Sequence, residues 1–275
     1  MQPNKALLNT ALLLLMMIST PSHSDYASVN GIQMYYETHG RGTPVVLLHG
    51  GYASSDMWAI ESWLLSYRYR VIEIDSRGHG RSTDSAAPIT YEQMASDTLT
   101  LLDQLGINNA HFVGWSDGAV IASQIAAYHP ERVNQLVMLG AAFKADAYNE
   151  AFTLLLNSDP LFNGFIDLMF KSAYTALNPD PDHWPVFRDK LHELWLSPCY
   201  FADAPAGYCL EPLEQIAAPA LVVVGENELI NMSHTQAIVN SIPGAELRTV
   251  AYAGHFLPIT RPFLTAGIIL DFLNN

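Results

Sequence analysis

Short apolar runs alternate with helical segments along most of the chain, and this alternation restricts the fold more than any other feature. Residues 45–48 form an unbroken apolar run of the kind expected for a strand buried on both faces. Further strand-like runs, separated by helical patterns, lie at 71–75, 111–115, 135–139, 220–224 and 246–250. This succession predicts an α/β fold with a mostly parallel, doubly wound sheet covered by helices on both sides.

Turn and capping residues mark the boundaries of these elements. Asn30-Gly31 favours a tight hairpin between residues 27–29 and 32–38, because both residues tolerate positive φ. Thr90 followed by Gln93 fits a capping box for a helix over residues 91–105, which Gly106 would end. The other predicted helices of this alternation cover residues 118–128, 235–240 and 263–273.

The alternation breaks between residues 141 and 216, where prolines interrupt three helical stretches and no strand-like run occurs. We therefore predict a helical cap at 141–216, inserted into a core formed by 25–140 and 217–275. The cap is rich in large aromatic residues, which suit either plain core packing or an apolar substrate pocket. These include Phe162, Phe165, Phe170, Trp184, Phe187 and Trp195.

The charge of the chain excludes one class of partner. Asp and Glu number 27 against 13 Lys and Arg, which gives a formal net charge of −14 at pH 7, and no basic cluster is present. Such a chain has no surface that would neutralise a run of phosphates, so nucleic acid is not expected as a partner. The acidity indicates a soluble surface and identifies no substrate.

Residues 1–24 have the pattern of a secretory signal peptide. Lys5 precedes an apolar run over residues 6–18, and small or polar residues follow up to Ser24. The run is shorter than the roughly 20 residues that a bilayer-spanning helix needs. We expect cleavage after Ser24 and export to the periplasm or the medium, and a retained N-terminal anchor is the alternative.

The chain has two cysteines, Cys199 and Cys209. In an oxidising compartment they can form a disulfide, and two free thiols are the alternative. Neither cysteine has the spacing of a metal site or stands in a nucleophile motif.

Gly114-Trp115-Ser116-Asp117-Gly118 places a serine where a buried strand turns into a helix. A serine nucleophile requires a sharp, strained turn, and flanking glycines allow the close backbone packing of such a turn. The first turn of the helix also presents free backbone N–H groups to a developing oxyanion. We therefore predict that Ser116 is a catalytic nucleophile.

A serine nucleophile needs a general base from elsewhere in the chain. Among ten histidines, His255 directly follows the last predicted strand, so its side chain should emerge at the same edge of the sheet as Ser116. The glycines around His49 and His79 indicate that these two histidines shape loops. We therefore assign the base to His255.

The acid that orients the histidine should follow a strand between Ser116 and His255 in the sequence. The strand ending at Leu139 is followed by Gly140-Ala141-Ala142, which contains no acid, whereas the strand over 221–224 is followed by Gly225-Glu226-Asn227-Glu228. Because we expect Gly225 to end that strand, the later carboxylate is better placed to turn back to the histidine. Glu228 is the predicted acid, and Glu226 remains the alternative.

Five segments together resemble the α/β-hydrolase superfamily, and in particular its single-cap esterases and related small-molecule hydrolases. The segments are 49–51 (HGG), 75–82 (DSRGHGRS), 114–118 (GWSDG), 225–228 (GENE) and 254–255 (GH). The resemblance extends from about residue 31 to the end of the chain, except in the cap. Most members carry Asp at the acid position, where Glu228 stands here.

The resemblance implies an oxyanion hole formed by the backbone N–H groups of Gly51 and Asp117, no cofactor, and a substrate channel between core and cap. We expect the carboxylate of Asp117 to cap the following helix, and we expect no metal site. The expected activity is hydrolysis of a small carboxylic ester, lactone or similar acyl compound through an acyl-serine. Amide, thioester or carbon–carbon bond hydrolysis and a non-catalytic ligand-binding role are the alternatives.

Overall fold

One eight-stranded sheet forms the centre of the protein. The computed structural model describes residues 22–204 and 209–275. The strand order is β1-β2-β4-β3-β5-β6-β7-β8, in which β1, β2 and β4 pair antiparallel and the other neighbours pair parallel. The predicted mostly parallel α/β sheet is thereby confirmed. The strands are β1 Ser22–Val29, β2 Ile32–Gly40, β3 Pro44–Leu48, β4 Arg70–Ile74, β5 Ala110–Trp115, β6 Val133–Leu139, β7 Ala220–Asn227 and β8 Glu246–Gly254.

Helices cover both faces of this sheet. Helices α2 and α3 pack on one face with residues such as Met94 and Ile121, while α1 and α10 cover the other face with Leu65 and Ile269. The helices in chain order are α1 Ala59–Leu65, α2 Tyr91–Gln104, α3 Asp117–Tyr128, α4 Glu150–Leu156, α5 Asp159–Ile166, α6 Ser172–Leu177, α7 Trp184–Trp195, α8 Met232–Ser241, α9 Leu257–Thr260 and α10 Pro262–Leu273. A π-helical turn, Asp167–Lys171, joins α5 to α6.

The expectation that Gly225 ends its strand is wrong. β7 continues to Asn227, because its backbone stays paired with β8 through Gly225↔Val250 and, after a register shift, Asn227↔Gly254. Backbone pairing does not require apolar side chains, so the strand outlasts its apolar run. Glu228 is consequently the first residue after the strand.

The capping box at the start of α2 forms only in part. Thr90 Oγ1 accepts a hydrogen bond from Gln93 N at 3.1 Å, as expected for the N-cap. The Gln93 side chain, however, donates to Asp97 Oδ1 instead of returning to the backbone of Thr90. Helix α1 and the 3₁₀ turn before it were not among the predicted elements.

The segment between β6 and β7 contains helices α4 to α7 joined by turns and loops, and its aromatic residues are largely buried. Phe162 and Phe187 are fully enclosed, and Tyr52 OH of the core donates to Arg188 O of α7 at 2.8 Å. Cys199 and Cys209 are joined by a disulfide with a Cα–Cα separation of 5.4 Å.

The predicted signal segment lies mostly outside the described residues. Its last three residues, 22–24, belong to β1 and pair with residues 37–39 of β2. Within 22–204 and 209–275, no helix is long and apolar enough to cross a bilayer.

Glu61 on α1 is an ionisable group buried in the core. The side chain has no solvent exposure, and neither carboxyl oxygen has a hydrogen-bond partner among the described residues. Burial raises the pKa of Glu61 to about 8, because the charged form loses its hydration. At neutral pH the native protein therefore holds this side chain as the neutral acid.

We expect Glu61→Gln to remove a pH dependence of stability. The pKa of Glu61 is higher in the native protein than in the unfolded chain. Its contribution to the free energy of unfolding is therefore complete below about pH 4.5 and is lost as pH rises towards 8. From pH 5 to pH 7 the wild type should lose about 2 kcal/mol relative to the variant. Urea unfolding at both pH values measures this, with Glu131→Gln at the exposed surface as the control. The same change in the free energy of unfolding between pH 5 and pH 7 in wild type and Glu61→Gln would contradict this prediction.

Candidate active site

Ser116 stands on a strained turn between β5 and α3. Its φ is +53°, a conformation that L-residues rarely adopt and that exposes the hydroxyl above the sheet edge. A methyl group at Gly114 would overlap the carbonyl of Gly118, and one at Gly118 would overlap the carbonyl of Leu48. Glycine at both positions therefore lets β5 and α3 approach closely enough to form the turn. Ser116 N also donates to Leu139 O at 2.8 Å, which ties the turn to β6.

His255 and Glu228 lie next to this serine. His255 Nε2 is 3.1 Å from Ser116 Oγ, and His255 Nδ1 is 2.6 Å from Glu228 Oε1. An ionised carboxylate only accepts hydrogen bonds, so Nδ1 carries the proton and Nε2 is free to accept from the serine hydroxyl. The backbone of the histidine is fixed by Trp115 Nε1, which donates to His255 O at 2.7 Å. The three side chains form a continuous hydrogen-bonded chain.

The two candidate acids occupy different environments. The side chain of Glu228 is 5% exposed and points to His255. Glu226 is exposed and its Oε2 accepts from Tyr252 N at 2.9 Å, away from the histidine. The structure thus brings Glu228, and not Glu226, to His255.

Gly140 provides the room for this longer acid. It follows β6 with φ +57°, and a Cβ there would lie 3.0 Å from His255 Nδ1 and 3.3 Å from Glu228 Oε2. A side chain at this position would press on both members of the pair. The missing Cβ accommodates a glutamate where most members of the resembling superfamily have the shorter aspartate.

The backbone N–H groups of Gly51 and Asp117 flank the serine turn. Gly51 follows β3, and Asp117 is the first residue of α3. Among the described residues neither N–H donates to a protein group, so both are free to bind an oxygen of a substrate.

His49 shapes the loop that carries Gly51. Its Nδ1 lies 2.8 Å from Gly50 O, and its Nε2 accepts from Ser76 N at 3.0 Å. These two contacts fix one neutral tautomer, in agreement with burial, which lowers the pKa of His49. His79 packs against it with ring centroids 4.9 Å apart, and burial also lowers its pKa. Among the described residues neither ring hydrogen-bonds to Ser116 Oγ, and the hydrogen bonds of both rings are to backbone groups of the loops after β3 and β4.

The expectation that the Asp117 carboxylate caps α3 is wrong. No side-chain hydrogen bond caps this helix. The carboxylate instead accepts from Tyr91 OH and from Trp195 Nε1, each at 3.0 Å. Because these donors come from α2 and α7, the carboxylate points away from the end of its own helix. Burial raises the pKa of Asp117 to about 6, against the lowering effect of the two donors.

A narrow apolar cavity of about 40 Å³ adjoins Ser116 and His255. Its walls contain no Asp, Glu, Lys or Arg side chain. Residues of both core and cap line it: Gly51, Trp115, Ser116, Tyr148, Phe152, Phe165, Ile166, Phe170, Trp195, Leu229, His255 and Phe256. A larger cavity of about 810 Å³ near Lys144 and Ser233 is lined by none of Ser116, His255 and Glu228. The small cavity is therefore the one that bears on the chemistry of Ser116.

Sequence reasoning missed several residues that build this site. Gly140 stands directly after a strand, so the strand-end argument that identified Glu228 could also have identified it. Trp115 lies within the serine motif itself. Tyr91 and Trp195 are separated from Asp117 by 26 and 78 residues, and no sequence pattern links them. Within the described part of the chain, no three His, Cys, Asp or Glu side chains are arranged to hold a metal ion.

Comparison of sequences relates the chain to known hydrolases. Residues 43–176 match the family profile described as alpha/beta hydrolase fold. A RutD protein of Caulobacter vibrioides, whose name assigns it to carbamate hydrolysis, is 27% identical over 257 residues, covering 87% of this chain and 95% of that protein. The acetyltransferase component of an acetoin-cleaving system from Cupriavidus necator is 29% identical over 246 residues, covering 84% and 63%.

The fold of the chain is also similar to solved structures of hydrolases. The enol-lactonase from Burkholderia xenovorans superposes with a TM-score of 0.70 and 26% identity, covering 91% of this chain and all of that one. Est816, described as an N-acyl homoserine lactone degrading enzyme, has a TM-score of 0.69 and 28% identity, covering 90% of this chain and all of its own.

We expect Glu228→Gln, but not Glu226→Gln, to slow covalent labelling of Ser116 by a fluorophosphonate. Gln cannot stabilise an imidazolium and favours the wrong tautomer of His255, so labelling should slow on the order of 10³-fold. Glu226→Gln changes the same functional group two residues away and should label at the wild-type rate. Mass spectrometry of the adduct with time gives both rates. A large loss in Glu226→Gln, or equal small losses in both, would contradict the assignment of Glu228.

Proposed function

This chain belongs to the α/β-hydrolase superfamily, and from that premise we propose that it is a serine hydrolase of small carboxylic esters or lactones. Its activity as a hydrolase follows from the relatives. The observation that carries the finer proposal is the position of His255, 3.1 Å from Ser116 Oγ and 2.6 Å from Glu228 Oε1. A serine with this base and acid is set up for acyl transfer.

The proposed reaction has two halves. Ser116 Oγ attacks the carbonyl carbon while His255 Nε2 takes the hydroxyl proton, and Glu228 stabilises the imidazolium that forms. The carbonyl oxygen, now negatively charged, accepts hydrogen bonds from the N–H groups of Gly51 and Asp117. Collapse of this intermediate breaks the bond to the leaving oxygen, which receives the proton from His255. Water then attacks the acyl-serine by the same path and releases the acid.

The cavity walls favour an uncharged acyl group. An ionised group on the acyl part would lose its hydration among aromatic side chains without gaining a partner of opposite charge. The volume of about 40 Å³ favours a short chain. Carbamates are the second candidate, because the RutD relatives are named for their hydrolysis and the carbonyl chemistry is the same.

We expect the purified protein to hydrolyse p-nitrophenyl acetate and butyrate with a higher kcat/KM than the octanoate. Ser116→Ala should lower kcat by at least about 10³-fold, because the nucleophile is removed while the fold is retained. Ser233→Ala, an exposed serine on the rim of the larger cavity, is the matched control and should keep full activity. Retention of more than about a tenth of kcat in Ser116→Ala would show that the nucleophile is another group.

We also propose that the protein is exported and that its disulfide forms there. The pattern of residues 1–24 and the Cα–Cα distance of 5.4 Å between Cys199 and Cys209 support this, since disulfides span about 4.4 to 6.8 Å.

Protein isolated from its native cells should therefore begin at Asp25 and carry Cys199 linked to Cys209. Intact-mass measurement before and after reduction, with alkylation of free thiols, checks both points. An intact Met1, or two cysteines that alkylate without reduction, would contradict the proposal.

A further inference from the structure

The carboxylate of Asp117 joins the core to the cap at the side of the nucleophile. It is 4% exposed and accepts hydrogen bonds from Tyr91 OH of α2 and from Trp195 Nε1 of α7. Tyr91 is buried within the core, and among the described residues the indole of Trp195 is the only donor from the cap. The carboxylate is thus the acceptor through which the end of α7 is held against the serine turn.

Trp195 in turn contacts the parts of the site that bind substrate. Its ring forms one wall of the apolar cavity. A Cβ on Gly51 would lie 2.5 Å from Trp195 Cζ2 and 2.6 Å from Asp117 Oδ2, so the indole and the carboxylate both pack directly on this glycine. Tyr200 OH donates to Trp195 O at 2.9 Å and holds the backbone at the same point. A displacement of Trp195 would therefore release both the cavity wall and the loop that carries the Gly51 N–H.

Packing alone does not call for an acid at this position. A buried carboxylate loses its hydration, and burial accordingly raises the pKa of Asp117. An apolar residue would avoid this loss, but it would leave the indole N–H and the phenol OH without an acceptor. The acid is needed for the geometry that these two donors fix.

We propose that Asp117 is a positioning residue for the hydrolysis. Its hydrogen bond with Trp195 holds the cap against the loop that carries Gly51, and it thereby sets the length of acyl chain that the cavity accepts. This inference rests on the proposed function. Asp117 acts here through Trp195 and Gly51, in addition to the backbone N–H that it offers to the oxyanion.

The test is a double-mutant cycle on kcat/KM for p-nitrophenyl acetate, butyrate and octanoate. Trp195→Phe removes the donor, and Asp117→Ala removes the acceptor while keeping the backbone N–H. Each should lower kcat/KM for acetate by about tenfold and shift the preference towards the longer ester, because the cavity wall is no longer held. The double variant should lose no more than Asp117→Ala alone, because Asp117→Ala already removes the hydrogen bond from Trp195 together with the one from Tyr91.

Two further variants separate positioning from folding. Trp184→Phe is the matched control, because Trp184 Nε1 donates to Asp167 Oδ1 at 2.8 Å in the same kind of pair but outside the cavity. It should cost similar thermal stability and change neither kcat/KM nor chain-length preference by more than about twofold. Asp117→Asn keeps one acceptor oxygen for Trp195 and should restore kcat/KM to within about threefold of wild type.

The inference is overturned if Trp195→Phe behaves like Trp184→Phe in rate and chain-length preference, or if the losses of the two single variants multiply in the double variant. A loss in Asp117→Asn as large as in Asp117→Ala would also overturn it. Labelling of wild-type Ser116 by a fluorophosphonate distinguishes this failure from that of the proposed function. If the wild type is not labelled and hydrolyses no ester, both the proposed function and the positioning role of Asp117 are rejected. If the wild type is labelled but the losses of the two single variants multiply in the double variant, only the positioning role is rejected.

Discussion

The close approach of β5, α3 and the end of β3 is the constraint on which the rest of the site depends. Gly114 and Gly118 permit it, because any side chain there would collide with a neighbouring carbonyl. The close approach forces Ser116 into positive φ, and the hydrogen bond from Ser116 N to Leu139 O holds the residue in this conformation. Strain of this kind persists only where the surroundings determine it fully. The buried sheet supplies that rigidity, and the hydroxyl is presented at a fixed point above its edge.

Glu228 and His255 reach this point from neighbouring strand ends. Parallel strands bring their carboxyl ends to one edge, so Glu228 after β7 and His255 after β8 arrive beside Ser116 after β5. Gly140 after β6 lies between them and keeps that space open. The ends of β5, β7 and β8 thus each contribute one of the three hydrogen-bonded side chains, and the end of β6 contributes a glycine without a side chain. The glycine at the end of β6 leaves the space that the glutamate at position 228 occupies beside His255.

Buried polar groups connect the cap to this edge. Asp117 accepts from Trp195, and Tyr52 donates to Arg188 O, so α7 is held by directional bonds in addition to apolar packing. Apolar contacts tolerate small displacements, whereas a buried hydrogen bond fixes distance and direction. The cap therefore has a defined position over the cavity. The sequence did not decide whether the aromatic residues of the cap belong to the core or to a pocket, and in the structure they serve both roles. Phe162 and Phe187 are enclosed core residues, while Phe165, Phe170 and Trp195 line the cavity.

The sequence by itself determined the α/β sheet, the chain order of its strands and the residues at the sheet edge that carries Ser116, because apolar periodicity and strand-end position are local properties of the chain. It predicted Ser116, His255 and Glu228, which the structure brings within hydrogen-bond distance, while their catalytic role stays a proposal. Only the tertiary structure decided that β7 runs past Gly225, that Glu226 turns away from the histidine, and that Asp117 binds Trp195 instead of capping its helix. Each of these depends on partners distant in sequence, and a hydrogen bond between such partners exists only after the sheet and cap have assembled around it.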